Sequence, residues 1–129
     1  MDTRIIVDTT IWIEFFRSPE SAVSKHLKDL LRQRRVVMVG MVMAEILQGI
    51  KAAKEANLVR ASFMTLPYSE MTKDRWQQAG EISASLRKKG TTLPLSDLII
   101  AACALAEGQE VYTLDPHFKR IPGVTLHVQ

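Results

Sequence analysis

The 129-residue sequence contains one cysteine and no apolar run that approaches the roughly 20 residues needed to cross a bilayer. Cys103 therefore has no partner for an internal disulfide bond, and its small apolar neighbours favour a buried thiol in a reducing compartment. Residues Met1–Arg4 lead directly into a predicted strand rather than a signal peptide. Repeats, low-complexity tracts and linkers are also missing from the sequence. We therefore expect a single domain over residues 1–129, cytoplasmic and without a membrane segment.

Negative charge is the minority charge in this sequence. Its 14 acidic residues are outnumbered by 17 lysines and arginines, which gives a formal net charge of +3. Since four of the acids interrupt or border apolar segments, the rest of the chain is more basic than the net charge suggests. A basic surface around an acidic pocket suits a polyanionic substrate, because the surface attracts phosphates while the pocket holds a cation. The composition, 47% hydrophobic and 24% charged, excludes a disordered chain.

Hydrophobic patterning predicts strands that alternate with helices. Residues 4–7 and 36–39 are short apolar runs typical of buried parallel strands, and residues 110–113 and 124–128 are predicted as later strands. Helical patterns are predicted for six segments: residues 11–16, the segment that Ser18 and Pro19 open, residues 42–50, residues 53–64, the segment from Thr72 to Gly90 with Trp76 facing inward, and residues 97–107 with Ser96 as cap. Strands separated by helices indicate an α/β fold with a parallel sheet between layers of helices.

Four acidic residues lie where predicted strands give way to helices or loops. Asp8 follows the first strand, Glu45 lies in the helix after the second, and Asp115 follows the strand at residues 110–113. Asp97 is predicted at the first position of its helix. Because sites in open α/β sheets form beyond the carboxyl ends of the strands, we expect these carboxylates to meet. Converging carboxylates need a cation, and such sites without histidine or cysteine typically hold Mg²⁺ or Mn²⁺ for phosphodiester hydrolysis.

Each acid also has a plainer explanation. Taken alone, Asp97 is more simply a helix-start acid that the helix dipole favours. Glu45 is alternatively a solvated helix residue, and Asp115 a turn former. Asp8 is the hardest to explain otherwise, because it ends an apolar strand with no turn residue after it.

Other polar residues are candidates for supporting roles. Thr10 and Thr113 are candidates to orient the acids by hydrogen bonds, with ordinary cap or strand-end hydroxyls as an equal alternative. His117 is too close to Asp115 in the sequence to be ignored, but a plain turn residue is the preferred interpretation. Three basic groups are candidates for contacts with a nucleic-acid backbone, with solvated helix ends as the alternative: Arg32, Arg34 and Arg35; Arg87, Lys88 and Lys89; and Lys119 with Arg120.

Taken together, four segments in this order resemble the PIN domain family, and specifically the toxins of bacterial VapBC toxin–antitoxin pairs. The segments are Val7–Ile13, Met43–Gly49, Leu95–Ala102 and Tyr112–Phe118, with Ile121–Val124 after them. The resemblance covers nearly the whole chain. It implies a three-layer α/β/α PIN-like domain with a central, mostly parallel sheet of about five strands.

The family's acidic quartet falls on Asp8, Glu45, Asp97 and Asp115, and its usual serine two residues after the first acid is Thr10 here. The resemblance implies an endoribonuclease toxin, usually a homodimer, that is blocked by a small VapB-type antitoxin. RNA phosphodiester bonds would be hydrolysed by a water that Mg²⁺ or Mn²⁺ activates. Asp8 and Asp97 would be the principal metal ligands, and Asp115 would complete the site directly or through a water. Glu45 would bind a second ion or orient the water.

Two other functions remain open at this stage. The first is a catalytically idle RNA- or protein-binding module on the same fold, against which the intact quartet argues. The second is a phosphoacceptor signalling domain, which expects a second acid beside Asp8 and a lysine late in the sheet. The sequence has no such pair, and Lys119 lies outside a predicted strand. The aromatic residues Trp12, Phe15, Phe16 and Trp76 are predicted to lie in the core or a dimer interface rather than to stack on bases.

Overall fold

The computed structural model describes residues 3–129, and within that range four short strands form one parallel sheet. The strands are β1 (Ile5–Val7), β2 (Val36–Val39), β3 (Tyr68–Ser69) and β4 (Glu110–Tyr112). Their spatial order is β3-β2-β1-β4, and every neighbouring pair is parallel. The predicted α/β fold with a parallel sheet is therefore confirmed.

Helices connect these strands and cover both faces of the sheet. Every residue of β1 and β2 is buried, and because successive side chains point to opposite faces, neither face is open to solvent. This is the arrangement that a three-layer α/β/α fold requires. The helices of the described range are α1 (Thr9–Arg17), α2 (Ala22–Arg32), α3 (Gly40–Gln48), α4 (Ala53–Phe63), α5 (Lys73–Lys88) and α6 (Leu95–Glu107), followed by a 3₁₀-helix at Pro116–Arg120.

Helix α6 runs through the core. Its residues from Leu98 to Ala104 are all buried, including Cys103, as the nearly continuous apolar sequence predicted. The helix ends at Gly108, whose φ of 63° is in the left-handed region that glycine adopts without strain. The position of α6 matters for the site, because its buried body fixes the location of the acid in its first turn.

The predicted start of the second helix is wrong by three residues. Ser21, rather than Ser18, is the N-cap of α2, and its side chain accepts a hydrogen bond from the backbone N–H of Ser24 at 3.1 Å. Ser18 instead ends α1, donating its backbone N–H to the carbonyl of Glu14. Both serines precede plausible helical sequence, so the local signal could not decide between them.

The predicted start of α6 is also wrong. The helix begins at Leu95 with Pro94 in the N-cap position, so Ser96 lies inside the first turn and caps nothing. Asp97 is consequently the third helical residue, and its backbone N–H donates to the carbonyl of Pro94 at 3.1 Å. The extended backbone of a proline suits the residue before a helix, and here that preference outweighs the capping preference of serine.

Three further details differ from the sequence-based expectation. Tyr68–Ser69 forms an edge strand that was not predicted, whereas the predicted strand at 124–128 is reduced to one bridge between Val111 and Leu126. The sheet of the described residues therefore has four strands, in keeping with the about five that were expected. Trp76, predicted to face inward, is 52% exposed, so only the dimer-interface part of its interpretation stays open.

Among residues 3–129, no helix combines the length and apolar character that a membrane span needs. The prediction that Met1–Arg4 is not part of a signal peptide rests partly on Met1 and Asp2, which lie outside the described residues.

Candidate active site

Asp8 lies directly after the central strand β1 and is only 3% exposed. It occupies the N-cap position of α1, yet its side chain makes no capping hydrogen bond. Its Oδ2 atom instead accepts hydrogen bonds from Thr10 Oγ1 at 2.8 Å and from Thr113 Oγ1 at 2.7 Å. The carboxylate of Asp8 is therefore held by two hydroxyls and does not serve to start the helix.

The two hydroxyls are themselves fixed by the backbone after β4. Thr10 Oγ1 accepts the N–H of Leu114 at 3.0 Å, and Thr113 Oγ1 accepts the N–H of Asp115 at 2.9 Å. Each hydroxyl thus donates to the same carboxylate oxygen and accepts from the same loop. These bonds tie the carboxyl end of β1 to that of β4, which is the edge where the acids were expected.

Asp97 and Asp115 form the second part of the site, together with an imidazole. Asp97 lies in the first turn of α6 and is 7% exposed. Asp115 precedes the 3₁₀-helix, and its Oδ1 accepts the backbone N–H of His117 at 2.9 Å. The ring atom His117 Nδ1 lies 3.0 Å from Asp97 Oδ2 and 3.1 Å from Asp115 Oδ1. One ligand atom from each of these three residues falls within 4.8 Å of the others.

The electrostatics of Asp97 indicate that the negative charges converge. Burial raises the pKa of Asp97 from 3.8 to about 6; the hydrogen bond with His117 opposes that rise, while the charges of Asp115 and Asp8 add to it. A divalent cation would offset both the burial and the repulsion. Carboxylate oxygens with one imidazole nitrogen are a donor set that fits such a cation.

Glu45 lies at the margin of this group. It is half-buried on α3, and its Oε1 accepts a hydrogen bond from Thr9 Oγ1 at 2.7 Å. Because Thr9 follows Asp8 in the chain, Glu45 is anchored beside the start of α1, outside the cluster of Asp97, Asp115 and His117. Asp8, Asp97 and Asp115 are brought together, therefore, and Glu45 stands at their border.

Two residues of this site were not predicted to take part in it. Thr9 was passed over because a threonine beside an aspartate has no distinctive pattern. His117 was interpreted as a plain turn residue, and that interpretation is wrong, since its ring contacts two of the acids. The contact with Asp97 joins residues 20 positions apart and depends on how the 3₁₀-helix packs on α6, which no local pattern reveals.

The basic groups divide between the two edges of the sheet. Arg34 and Arg35 precede β2, and the carbonyl of Arg35 accepts the N–H of Ile5 at the start of β1, so they lie at the edge opposite the acids. Residues 87–89 end α5 a few residues before α6 begins, and Arg120 donates to Thr91 Oγ1 at 3.3 Å. These later basic residues therefore lie on the side of the acids.

A parallel sheet between layers of helices, with carboxylates gathered beyond the carboxyl ends of its strands, is typical of α/β domains with an acidic site. One family model matches this chain. The model for the PIN domain matches residues 5–124. The chain belongs to the PIN domain family, which confirms the resemblance predicted from its four segments.

Within that family the chain is similar to VapC ribonucleases and to chains of VapBC structures. Ribonuclease VapC11 of Mycobacterium tuberculosis is 27% identical over 125 residues, which cover 94% of this chain and 93% of that protein. The DNA-bound VapBC structure from Salmonella typhimurium superposes with a TM-score of 0.81 at 24% identity, covering 98% of each chain. The VapBC2 structure from Rickettsia felis, bound to a promoter DNA fragment, gives 0.80 at 24% identity and covers 95% of this chain and 96% of that one.

Proposed function

We propose that this protein is a metal-dependent endoribonuclease that acts as the toxin of a toxin–antitoxin pair and hydrolyses RNA phosphodiester bonds in the cytoplasm. The observation that carries the proposal is the convergence of the buried Asp8 and Asp97 with Asp115 at the carboxyl edge of the sheet. The ribonuclease names of the relatives and the VapBC complexes among the structural neighbours support it.

The catalytic set consists of the four predicted acids. Asp8, Asp97 and Asp115 would hold the cation, Mg²⁺ or Mn²⁺. When bound, the cation makes water more acidic and offsets negative charge on the phosphate oxygens. Thr10 and Thr113 keep the Asp8 carboxylate in one orientation, so that the site needs little rearrangement before the reaction.

Glu45 acts from the border of the site. Its hydrogen bond with Thr9 holds the carboxylate beside the start of α1, where it can orient the attacking water and accept its proton, or bind a second ion. The basic residues at the end of α5 and in the 3₁₀-helix bind the backbone phosphates on either side of the scissile bond.

The partner of this toxin is a VapB-type antitoxin. An apolar groove of about 350 Å³ lies between α1, α2 and α4, lined by aromatic side chains that include Trp12 and Phe63, with Phe16 45% exposed. An apolar helix of the antitoxin would fill this groove by its hydrophobic face. Phe16 and Val59 also line the adjoining cleft that contains Glu45, so a bound helix can reach toward the site. A homodimer is part of the same proposal.

Asp97→Asn tests the enzymatic proposal. The substitution keeps the shape of the side chain but removes the charge, so the fold should persist while cleavage falls roughly 100-fold or more, the scale on which loss of a transition-state-stabilising group acts. Sequencing of RNA ends after brief expression of each protein measures activity and identifies the target together. The exposed Asp74, in the first turn of α5, provides the same chemical change away from the site as Asp74→Asn.

Undiminished cleavage by Asp97→Asn, or by wild-type protein in excess chelator, would contradict the mechanism. The alternative function is a catalytically idle binding module on the same fold. It would bind RNA or the antitoxin equally well with either residue at position 97, and it would give no new RNA ends in the wild type.

A further inference from the structure

His117 places an imidazole nitrogen between two of the carboxylates that the proposed function uses. Its Nδ1 lies 3.0 Å from Asp97 Oδ2 and 3.1 Å from Asp115 Oδ1, and its backbone N–H also donates to Asp115. The ring is 41% exposed at the side-chain level, so one face remains open to incoming solutes. The backbone hydrogen bond to Asp115 and the 3₁₀-helix fix the position of the His117 backbone, and so restrict where its Nδ1 can lie.

The spacing of these atoms fits an octahedral ion. Ligands about 2.1 Å from the centre of an octahedron are about 3.0 Å apart when they are neighbours. The two distances from Nδ1 to the carboxylate oxygens have this value, and all three ligand atoms lie within 4.8 Å of one another. The three ligand atoms are therefore close enough to share one ion.

The imidazole nitrogen affects which divalent ion the site prefers. Mg²⁺ prefers oxygen ligands and keeps several of its waters, so a nitrogen donor adds little to its binding. Imidazole nitrogen is a common ligand of divalent transition metals, and Mn²⁺ is the first and weakest binder of that series. Mn²⁺ accepts carboxylate ligands as Mg²⁺ does, so an added nitrogen donor favours Mn²⁺ of the two. We propose that His117 Nδ1 is a direct ligand of the catalytic ion with Asp97 and Asp115, and that it makes the site select Mn²⁺ over Mg²⁺. The inference rests on the proposed function and names the ion that serves it.

A hydrogen bond from the imidazole N–H to the carboxylates would produce similar distances, so the experiment must separate a ligand from a hydrogen-bond partner. His117→Asn does so, because its amide nitrogen stands near the position of Nδ1 and can still donate to Asp97 and Asp115, but it is a poor metal ligand. His26→Asn is the matched control, since His26 lies on α2 and pairs with His127 away from the acids.

The measurement is Mn²⁺ binding to the full-length protein, followed by electron paramagnetic resonance with Mg²⁺ as competitor. We expect the pulsed spectrum of the wild type and of His26→Asn to contain the coupling of a directly bound ¹⁴N, and His117→Asn to lack it. The Mn²⁺ affinity of His117→Asn should fall at least about tenfold, and its Mg²⁺ affinity should be nearly unchanged. Loss of a residue that only hydrogen-bonds to a metal ligand already lowers metal affinity about tenfold or more, so loss of a direct ligand should cost at least as much.

The outcomes separate the two proposals. Wild-type protein that binds Mn²⁺ without nitrogen coupling, or a His117→Asn variant that keeps its preference for Mn²⁺, would overturn the role of His117 and leave the nuclease intact. Wild-type protein that binds neither ion would overturn the proposed function itself. The wild-type spectrum decides the question of ligation even where His117→Asn does not fold.

Discussion

The hydroxyl of Thr113 has only one proton, and the structure directs it to Asp8. Its oxygen also accepts the N–H of Asp115, so a single side chain positions one acid through its carboxylate and another through its backbone. Thr10 makes the equivalent pair of bonds to Asp8 and Leu114. At the scale of single residues, the acids are therefore oriented by neutral neighbours, and these neighbours should matter for activity almost as much as the acids.

Replacing Thr113 by valine tests this role. The side chain keeps its volume but loses both hydrogen bonds, so we expect RNA cleavage to fall about 10- to 100-fold and the free energy of unfolding to fall by about 1–3 kcal/mol. Cleavage rates and urea unfolding measure the two effects. Thr113→Ser keeps the hydroxyl and is the control. Equal activity of the valine and serine variants would show that Asp8 needs no such support.

The scale of helices and strands explains what the sequence alone could predict. The strands at residues 4–7 and 36–39 were predicted because their largely apolar, β-branched sequences suit a sheet buried on both faces. The strand at residues 110–113 was predicted from Val111, Tyr112 and Thr113, which are residue types enriched in strands. The strand Tyr68–Ser69 was missed, since two residues carry no periodicity and only the neighbouring β2 makes them a strand.

The site divides in a similar way. Asp8, Glu45 and Asp115 were predicted from their positions after strands, and Asp97 from its position at the start of a helix. The expectation that they meet depends on topology and so survives an error in a helix boundary such as the one at Asp97. The contact of His117 with Asp97 was not predictable, because it depends on tertiary packing between a 3₁₀-helix and α6. Their chemical roles stay predictions.

Contacts between side chains connect the C-terminal segment to α2 and β4. His26 Nε2 lies 2.8 Å from His127 Nε2, and His127 Nδ1 lies 2.8 Å from Glu110 Oε1. Burial and the neighbouring His127 lower the pKa of His26, with Arg35 adding to the effect and Asp29 opposing it. The rings of Tyr112 and His26 pack nearly at a right angle, with their centroids 5.4 Å apart. Protonation of His26 would therefore weaken the attachment.

The pH dependence follows from the direction of that shift. Because the pKa of His26 is lower in the folded protein than the unfolded value near 6.5, the unfolded chain binds the extra proton more readily. The contribution of His26 to stability is therefore complete above about pH 6.5 and declines as the pH falls below it. Asp97, whose folded pKa is raised, acts in the opposite sense, so the informative quantity is a difference between variants.

We expect His26→Gln to remove this part of the pH dependence. The difference in free energy of unfolding between wild type and His26→Gln, measured with urea, should shrink from pH 7.5 to pH 5.5. The titration of Asp97 is common to both proteins and cancels in the comparison. A difference that stays constant, or that grows as the pH falls, would contradict the assigned direction of the shift.

At the scale of the whole molecule, the two edges of the sheet carry different charge. The carboxyl edge combines the acids with basic residues at the end of α5 and in the 3₁₀-helix, whereas Arg34 and Arg35 lie at the other edge. A flexible RNA strand that crosses the acids would contact the basic residues at the end of α5 and in the 3₁₀-helix. It would not contact Arg34 and Arg35. The distribution of charge thus predicts that the bound RNA strand runs along the carboxyl edge of the sheet.

Salt dependence of RNA binding tests this arrangement. In an Asp97→Asn background that does not cleave, replacing Lys88 and Lys89 by alanine should weaken binding. The slope of log affinity against log salt should become shallower by about 0.7 for each RNA phosphate that is no longer neutralised. Arg32→Ala is the control, because Arg32 pairs with Asp29 at the end of α2, near the opposite edge. Both changes reduce the net charge of the protein. If the loss of RNA affinity for each positive charge removed were equal in the two variants, the attraction would be general, and the proposed path along the carboxyl edge would be contradicted.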